Sequence, residues 1–197
     1  MNNQHHLSGP PHRCFFALKF SPEATAYLAN IINQLRQHNA DVAWTPQRNI
    51  HLTLRFLGEI TDQQLRRVRA LPGTAPLGLG FALRASGLGA FPTLRSARVL
   101  WAGVEGETPD HRQQLGALQQ RAEEWAREIG LRPEGKRYIP HLTLGRVRNP
   151  SPGLRSVVDA MTTGECYSPL STIGQLLLVR SVLSERGAEY QVLEEWE

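Results

Sequence analysis

The sequence contains few cysteines and almost no lysine. Its 197 residues include two cysteines, Cys14 and Cys166, which lie far apart and outside any CxxC pair. This argues against a disulfide-stabilised scaffold and against a cysteine-based zinc site, so we interpret both cysteines as buried apolar residues of a reduced compartment. Lys19 and Lys136 are the two lysines among 22 cations. The arginine excess suits bidentate phosphate recognition, but coding bias in a GC-rich genome also produces it.

Long apolar runs and long charged runs are also absent. No stretch reaches the roughly 18 consecutive apolar residues of a membrane-spanning helix, and the N-terminus lacks the pattern of a secretory signal. We therefore expect a cytoplasmic protein with no membrane partner. The formal net charge of +4 is not concentrated in a basic arm, although it suits a polyanionic partner. Neither GxGxxG nor GxxxxGK[ST] occurs, which argues against a dinucleotide-binding Rossmann site and a P-loop.

The chain divides into a short polar opening and one longer unit. Residues 1–12 are predicted to be a flexible tail, in which His5, His6 and His12 are solvated rather than metal ligands. Residues 13–197 are predicted to form a single domain of the α+β class. We expect two pseudo-symmetric lobes, each with an antiparallel sheet and helices outside, around a central groove.

Helix start signals separate the predicted strands. Ser21 with Pro22, Thr61 with Gln64, and Thr108 with Pro109 each have the form of a helix N-terminus. A further helix is predicted over residues 154–161. Outside the two HLTL segments, strands are predicted over residues 13–20, 81–86, 97–103, 173–181 and 190–193, and the strand over 173–181 is predicted to be central.

The tetrapeptide HLTL occurs twice, at residues 51–54 and 141–144. Each copy alternates in the manner of a half-buried strand, so its two leucines are expected in the core. The alternation places His51 with Thr53, and His141 with Thr143, on the opposite face of each strand. Duplicated strand packing explains the leucines but leaves the histidines and threonines unexplained. The repeat therefore predicts two similar lobes that bring both His-Thr pairs to one cleft.

Two imidazoles and two hydroxyls can perform a restricted chemistry. Histidines facing each other across a substrate can act as base and acid near neutral pH, and threonine hydroxyls can donate to phosphoryl oxygens. Zinc is the competing interpretation, but neither copy carries a carboxylate or a second histidine at ligand spacing. The sequence thus favours metal-free acid-base cleavage of a phosphoester.

The segments NIHLTLRFLGEI and YIPHLTLGRVR resemble the two motifs of the two-histidine (2H) phosphoesterases. The similarity is to the bacterial and archaeal RNA 2',3'-cyclic phosphodiesterases, long called 2'-5' RNA ligases. It extends from about Arg13 to Glu197 and includes the FFALKF start, the ARVLWAGV strand and the closing RGAEYQVLEEW. The resemblance implies a bilobal enzyme without metal or cofactor that opens a 2',3'-cyclic phosphate to a 2'-phosphomonoester. Some such enzymes also join or split 2'-5' linkages.

The resemblance also implies roles for particular residues. His141 would activate the attacking water and His51 would protonate the departing 3'-oxygen, although the two roles could be exchanged. Thr53 and Thr143 would hold non-bridging phosphate oxygens. Arg146 matches a family position near the phosphate, but strict alternation from His141 puts it on the leucine face unless the strand bulges near Gly145.

Further substrate-binding candidates follow from the residues themselves. Arg55 shares the face of His51 and Thr53 by strict alternation, so it is a candidate for phosphate or ribose contact. Phe16, Phe20 and Tyr138 are candidates for stacking on a nucleobase, with the core as the alternative for each. Trp101, Trp125 and Trp196 are assigned to the core.

The expected partner is an RNA with a 2',3'-cyclic phosphate end, or a cyclic nucleotide, bound by a monomer. A non-catalytic module that binds RNA ends is one alternative. A phosphodiesterase acting on a small nucleotide, such as ADP-ribose cyclic phosphate, is another.

Overall fold

The structure is a computed structural model that describes residues 11–184 and 187–197. Predictions for residues 1–10, including His5 and His6, lie outside these described residues. The helices and strands are, in chain order, β1 (His12–Leu18), α1 (Pro22–Arg36), β2 (Val42–Trp44), β3 (Leu52–Ile60), α2 (Asp62–Ala70), β4 (Phe81–Phe91), β5 (Val99–Gly106), α3 (Pro109–Glu128), β6 (His141–Val147), α4 (Pro152–Thr163), β7 (Ser171–Ile173), β8 (Leu176–Ser184) and β9 (Gly187–Trp196).

The predicted helix starts are confirmed by their capping hydrogen bonds. The Ser21 hydroxyl accepts from the Ala24 amide at 3.2 Å, and α1 begins at the following proline. Thr61 and Gln64 form a reciprocal capping box at the start of α2. Thr108 caps α3 in the same way as Ser21 caps α1. None of the described helices is long and apolar enough to cross a membrane.

The strands form one antiparallel sheet in the order β7-β4-β5-β6-β3-β1-β8-β9, with β2 paired to β6. It consists of two half-sheets, β3-β1-β8-β9 and β6-β5-β4-β7, with equivalent strands in equivalent places. They meet where Leu52 of β3 lies opposite Leu142 of β6. The predicted α+β fold with two related antiparallel halves is therefore confirmed, and the two lobes share a continuous sheet.

The two repeats exchange strands. β4 follows β3 in the chain but pairs with β5, whereas β8 pairs with β1. The prediction of a single strand over residues 173–181 is wrong, because this segment passes from one half-sheet to the other. It is two strands, because β7 pairs with β4 in one half-sheet and β8 begins the other after a break at Gly174 and Gln175. The apolar pattern of a segment does not reveal which half-sheet each of its residues joins.

The main core lies between one face of the sheet and helices α1 and α3. It includes Leu28 of α1, Leu118 of α3, Phe16 of β1 and the leucines of both HLTL copies. Cys14 and Cys166 are free and buried, as predicted. The opposite face carries a smaller apolar cluster formed by Phe15, Ala17, Leu177 and Val179. This second face forms the groove floor.

His12 belongs to the sheet and not to a tail. It is the first residue of β1, and its Nε2 lies 2.7 Å from Asp62 Oδ1 at the start of α2. The prediction that His12 is a solvated tail residue is therefore wrong. Sequence polarity at the N-terminus concealed a contact with a residue 50 positions away.

Replacement of Leu142 by Ala is expected to lower the free energy of unfolding by about 2–5 kcal/mol, because it opens a cavity at the junction of the half-sheets. Leu170→Ala is the control, since Leu170 is 39% exposed and should change stability by less than about 0.5 kcal/mol. Urea unfolding followed by circular dichroism measures both values. Equal losses in the two variants would contradict the importance of this junction.

Candidate active site

The two HLTL copies point their histidines and threonines away from the core. Leu52, Leu54, Leu142 and Leu144 are at most 2% exposed. The four polar residues between them are half-buried. Because side chains alternate along a strand, the His-Thr pairs lie on the groove face of the sheet.

The register between β3 and β6 brings the pairs together. Leu52 lies directly opposite Leu142. Continued by one residue in each direction, this antiparallel register places His51 opposite Thr143 and Thr53 opposite His141. The approximate twofold axis of the repeat therefore passes between the two leucines, with one His-Thr pair on either side.

Each imidazole is oriented by a backbone carbonyl two residues earlier. His51 Nδ1 lies 2.7 Å from the Asn49 oxygen, and His141 Nδ1 lies 2.7 Å from the Ile139 oxygen. A carbonyl only accepts hydrogen bonds, so Nδ1 donates and carries the proton of the neutral ring. Nε2 of each neutral histidine is then free to accept a proton, and that of His51 lies 3.1 Å from the Thr53 hydroxyl.

The pKa values of both histidines are lower than usual. Burial lowers the pKa of His51 to about 4. The hydrogen bond to the Asn49 carbonyl raises this pKa, whereas the charges of His141 and Arg146 lower it further. Burial also lowers the pKa of His141, as does Arg146, while the Ile139 carbonyl opposes the shift. Both imidazoles are therefore neutral at pH 7 in the free protein, and a bound anion would raise both pKa values.

A bulge places Arg146 beside the histidines. Trp101 lies opposite Thr143 and Leu100 lies opposite Gly145, so Leu144 is the extra residue on β6. The bulge reverses the alternation, and Arg146 returns to the face of His141 and Thr143. Its effect on the pKa values of both histidines reflects this closeness. The sequence required a bulge near Gly145 for Arg146 to reach this face, and the strand has one.

The comparison with known proteins agrees with this arrangement. A family model described as LigT like Phosphoesterase matches residues 18–101 and 107–165, which include both HLTL copies. The chain belongs to the LigT-like phosphoesterase family. In the present LigT-like phosphoesterase, the match covers the strands of both HLTL copies and ends before β7.

Relatives and solved structures extend this similarity over most of the chain. An RNA 2',3'-cyclic phosphodiesterase of Methanothermobacter thermautotrophicus is 30% identical over 92% of this chain and 96% of that protein. One from Thermus thermophilus is 31% identical over 93% of this chain and 89% of its own. The crystal structure of TT0787, also of Thermus thermophilus, has a TM-score of 0.74 at 29% identity, covering 93% of this chain and 96% of that one.

Arg55 of this LigT-like phosphoesterase does not share the strand face of Thr53, so the alternation predicted for it is wrong, although its side chain lines a cavity together with Thr53. Its contact with phosphate or ribose stays a prediction. Phe16 lies opposite Arg55 and Ala17 opposite Thr53, so Leu54 is bulged in the same way as Leu144. Arg55 is consequently turned into an ion-pair cluster that ties β3 to α3 and the loop after it. Its Nε lies 2.5 Å from Glu123 and its Nη1 lies 2.9 Å from Glu134.

The aromatic candidates have different outcomes. Phe16 and Phe20 are 0% and 3% exposed in the core, so their prediction as stacking residues is wrong. Alternation along β1 places Phe15, and not Phe16, in the groove. Tyr138 lines the groove and donates to the Thr53 backbone oxygen at 3.1 Å, while burial raises its pKa. Tyr138 thus supports the strand that carries Thr53.

Four aromatic side chains that were not predicted as site residues surround the two imidazoles. Phe15 stacks on His51 at a centroid distance of 4.8 Å. Tyr190 meets the same ring edge-on at 5.1 Å. The equivalent neighbours of His141 are Phe91 at 4.9 Å and Trp101 at 6.3 Å. Trp101 is therefore beside the site and not in the core as predicted, whereas Trp125 is buried as predicted.

Two cavities lie along the described part of the groove. The smaller, of about 410 Å³, is bounded by β1, β8 and β9 and has His51 in its wall. The larger, of about 1280 Å³, includes Thr53, Tyr138 and His141. Among the described residues, no group of three or more His, Cys, Asp or Glu side chains is arranged to hold a metal ion. The arrangement offers acid-base chemistry flanked by two binding spaces.

Replacement of Arg55 by Ala is expected to lower the free energy of unfolding by about 3–5 kcal/mol, because Glu123 would be left buried without its main partner. Arg127→Ala is a matched control. Arg127 contacts the same carboxylate at 3.6 Å but is 56% exposed, so its loss should cost less than about 1 kcal/mol. Urea unfolding at pH 7 measures both variants, and a similar loss in the two would contradict this assignment.

Proposed function

We propose that this LigT-like phosphoesterase hydrolyses RNA 2',3'-cyclic phosphate ends to 2'-phosphomonoesters without a metal or cofactor. The observation that carries the proposal is the pair of carbonyl-oriented histidines related by the Leu52–Leu142 register. The names of the relatives, RNA 2',3'-cyclic phosphodiesterase, support the same substrate class. Because both His-Thr pairs come from one chain, we propose that a monomer is active.

The reaction needs one proton accepted and one proton donated. His141 Nε2 takes a proton from water as the water oxygen forms its bond to phosphorus. The bond from phosphorus to the 3'-oxygen breaks, and His51 delivers its Nε2 proton to that oxygen. The phosphate remains on the 2'-oxygen. Proton exchange with solvent then returns His141 to its neutral form, and His51 takes up its proton again when the next cyclic phosphate binds.

The developing charge on the phosphate is held by Thr53, Thr143 and Arg146. The threonine hydroxyls donate to non-bridging oxygens, and the Arg146 guanidinium lies on the same face. In the free protein Arg146 disfavours protonation of His51, whereas a bound cyclic phosphate carries the opposite charge and favours it. Substrate binding therefore supplies the electrostatic condition that the acid role of His51 requires.

The same site can also form a 2'-5' linkage. If the 5'-hydroxyl of a second RNA replaces water, His141 removes its proton and the same bond to the 3'-oxygen breaks. The cavity of about 1280 Å³ beside His141 has room for such a second chain. We propose this as a side activity of a cytoplasmic hydrolase. ADP-ribose cyclic phosphate as substrate, and inert binding of RNA ends, are the alternatives that turnover assays separate.

His51→Ala and His141→Ala are each expected to lower kcat on an oligonucleotide with a 2',3'-cyclic phosphate end by about 10²–10⁴-fold. His111→Ala is the control, because His111 lies on α3 and pairs with Glu107 outside the groove. Assays in excess EDTA with a 3'-labelled substrate report both the rate and the position of the product phosphate. Loss of activity in EDTA with recovery in zinc would overturn the metal-free mechanism, and a 3'-phosphate product would overturn the leaving-group assignment.

The pH dependence follows from the lowered pKa values. Catalysis needs one charged and one neutral histidine, so kcat/KM is expected to peak between about pH 4 and 6.5. The kcat profile should peak at higher pH, because the bound phosphate raises both pKa values. Arg146→Gln should move the kcat/KM profile to higher pH as well as lower its height. A kcat/KM maximum above about pH 7.5 in the unmodified protein would contradict the burial effect.

A further inference from the structure

One difference between the two half-sheets lies at a pair of equivalent positions on the groove face. Ala17 of β1 lies opposite Thr53, and Trp101 of β5 lies opposite Thr143. The Trp101 ring lies over Gly89, where a Cβ atom would collide with it. A tryptophan therefore covers the half-sheet beside His141. At the equivalent position beside His51, Ala17 supplies a methyl group in place of an indole ring.

On the His51 side, the small residue leaves a cavity between β1, β8 and β9. The cavity of about 410 Å³ beside His51 has Ala17, Leu177 and Val179 in its floor, with Phe15 and Tyr190 as aromatic walls. Its volume is at the lower end of the range of roughly 300–1,000 Å³ for small-molecule sites. Aromatic walls over an apolar floor suit a nucleobase and ribose, and the space accommodates one nucleoside. We refer to it as the nucleoside cavity.

Two cations stand at the rim of the nucleoside cavity. Lys19 continues the alternation of Phe15 and Ala17, so it shares their face. Arg48 belongs to the turn that precedes His51. Both are exposed, and within residues 11–184 and 187–197 neither lies within 4.0 Å of a carboxylate in an ion pair. Glu189 also lines the cavity, so the rim carries two positive charges and one negative.

The reaction direction decides which side the nucleoside takes. In the proposed function His51 protonates the 3'-oxygen, and that oxygen belongs to the ribose of the terminal nucleoside. The ribose must then lie on the His51 side of the phosphorus, toward the nucleoside cavity. Water or a second RNA approaches from the His141 side. Apart from the cyclic phosphate, the one charged group of that terminal nucleotide is the 5'-phosphate that joins it to the preceding residue.

We propose that the nucleoside cavity binds the terminal nucleoside and that Lys19 and Arg48 bind its 5'-phosphate. This inference rests on the proposed function, and it makes a chain, or a nucleotide phosphorylated at the 5'-position, a better substrate than a simple cyclic nucleotide. Lysine and arginine at a rim are suited to a phosphate that stays partly hydrated. The protein would thereby recognise the terminal nucleoside and its 5'-phosphate in addition to the cyclic phosphate.

The test compares adenosine 2',3'-cyclic phosphate with the same compound carrying a 5'-phosphate. The protein is expected to prefer the 5'-phosphorylated compound by about tenfold in kcat/KM, in keeping with charge-assisted contacts. Lys19→Met and Arg48→Met should each reduce this preference, and the double variant should bring it near one. Lys136→Met is the matched control, since Lys136 is the other lysine and lines the larger cavity, and it should keep the original preference.

Equal kcat/KM values for the two compounds with the unmodified protein would overturn the inference. It would also be overturned if Lys136→Met abolished the preference for the 5'-phosphorylated compound while Lys19→Met left it unchanged. Hydrolysis of neither compound, nor of an oligonucleotide, would instead overturn the proposed function. Ala17→Trp places an indole ring in the cavity, opposite Leu177 where the other half-sheet has Gly89 opposite Trp101, and should raise KM for both compounds at least tenfold. Circular dichroism checks its folding; an unchanged KM in a folded variant would place the nucleoside elsewhere.

Discussion

The antiparallel register between β3 and β6 is the constraint on which the groove depends. Leu52 and Leu142 face each other in the core, and this single alignment places each histidine across from the threonine of the other repeat. Strand side chains have a period of two, so a slip of one residue would turn the histidines toward the core and the leucines toward solvent. The burial of the four leucines therefore stabilises the geometry of the groove, where the histidines and threonines lie on the opposite strand face.

The bulges at Leu54 and Leu144 determine what the two repeats do differently. Each bulge turns the fourth residue after the histidine inward and the fifth outward. In the first repeat these residues are Arg55, held by carboxylates, and Phe56, which is 46% exposed. In the second they are Gly145 and Arg146. The same kind of β-bulge thus leaves Arg146 of the second repeat in the groove and buries Arg55 of the first.

Local signals in the sequence were sufficient for the helix starts, the paired HLTL strands and the two-lobed α+β fold. Capping residues act within one turn, and alternation acts within one strand, so both can be read directly. The bulge at Leu54, the division of residues 173–181 between two half-sheets and the burial of Phe16 depend on partners far away in the chain. The alternation expected of Arg55 fails, and Phe16 lies in the core that was its alternative, because strict alternation and residue type carry no information about such partners.

The exchange of strands between the repeats makes the groove a cooperative unit. β4 of the first repeat completes the half-sheet of the second, and β8 of the second completes that of the first. Neither repeat holds its own histidine strand in a complete half-sheet, so loss of either one removes a strand from the other. A partly unfolded molecule that retains one working side of the groove is therefore not available to this chain. We therefore expect the two His-Thr pairs of the groove to be lost together on unfolding.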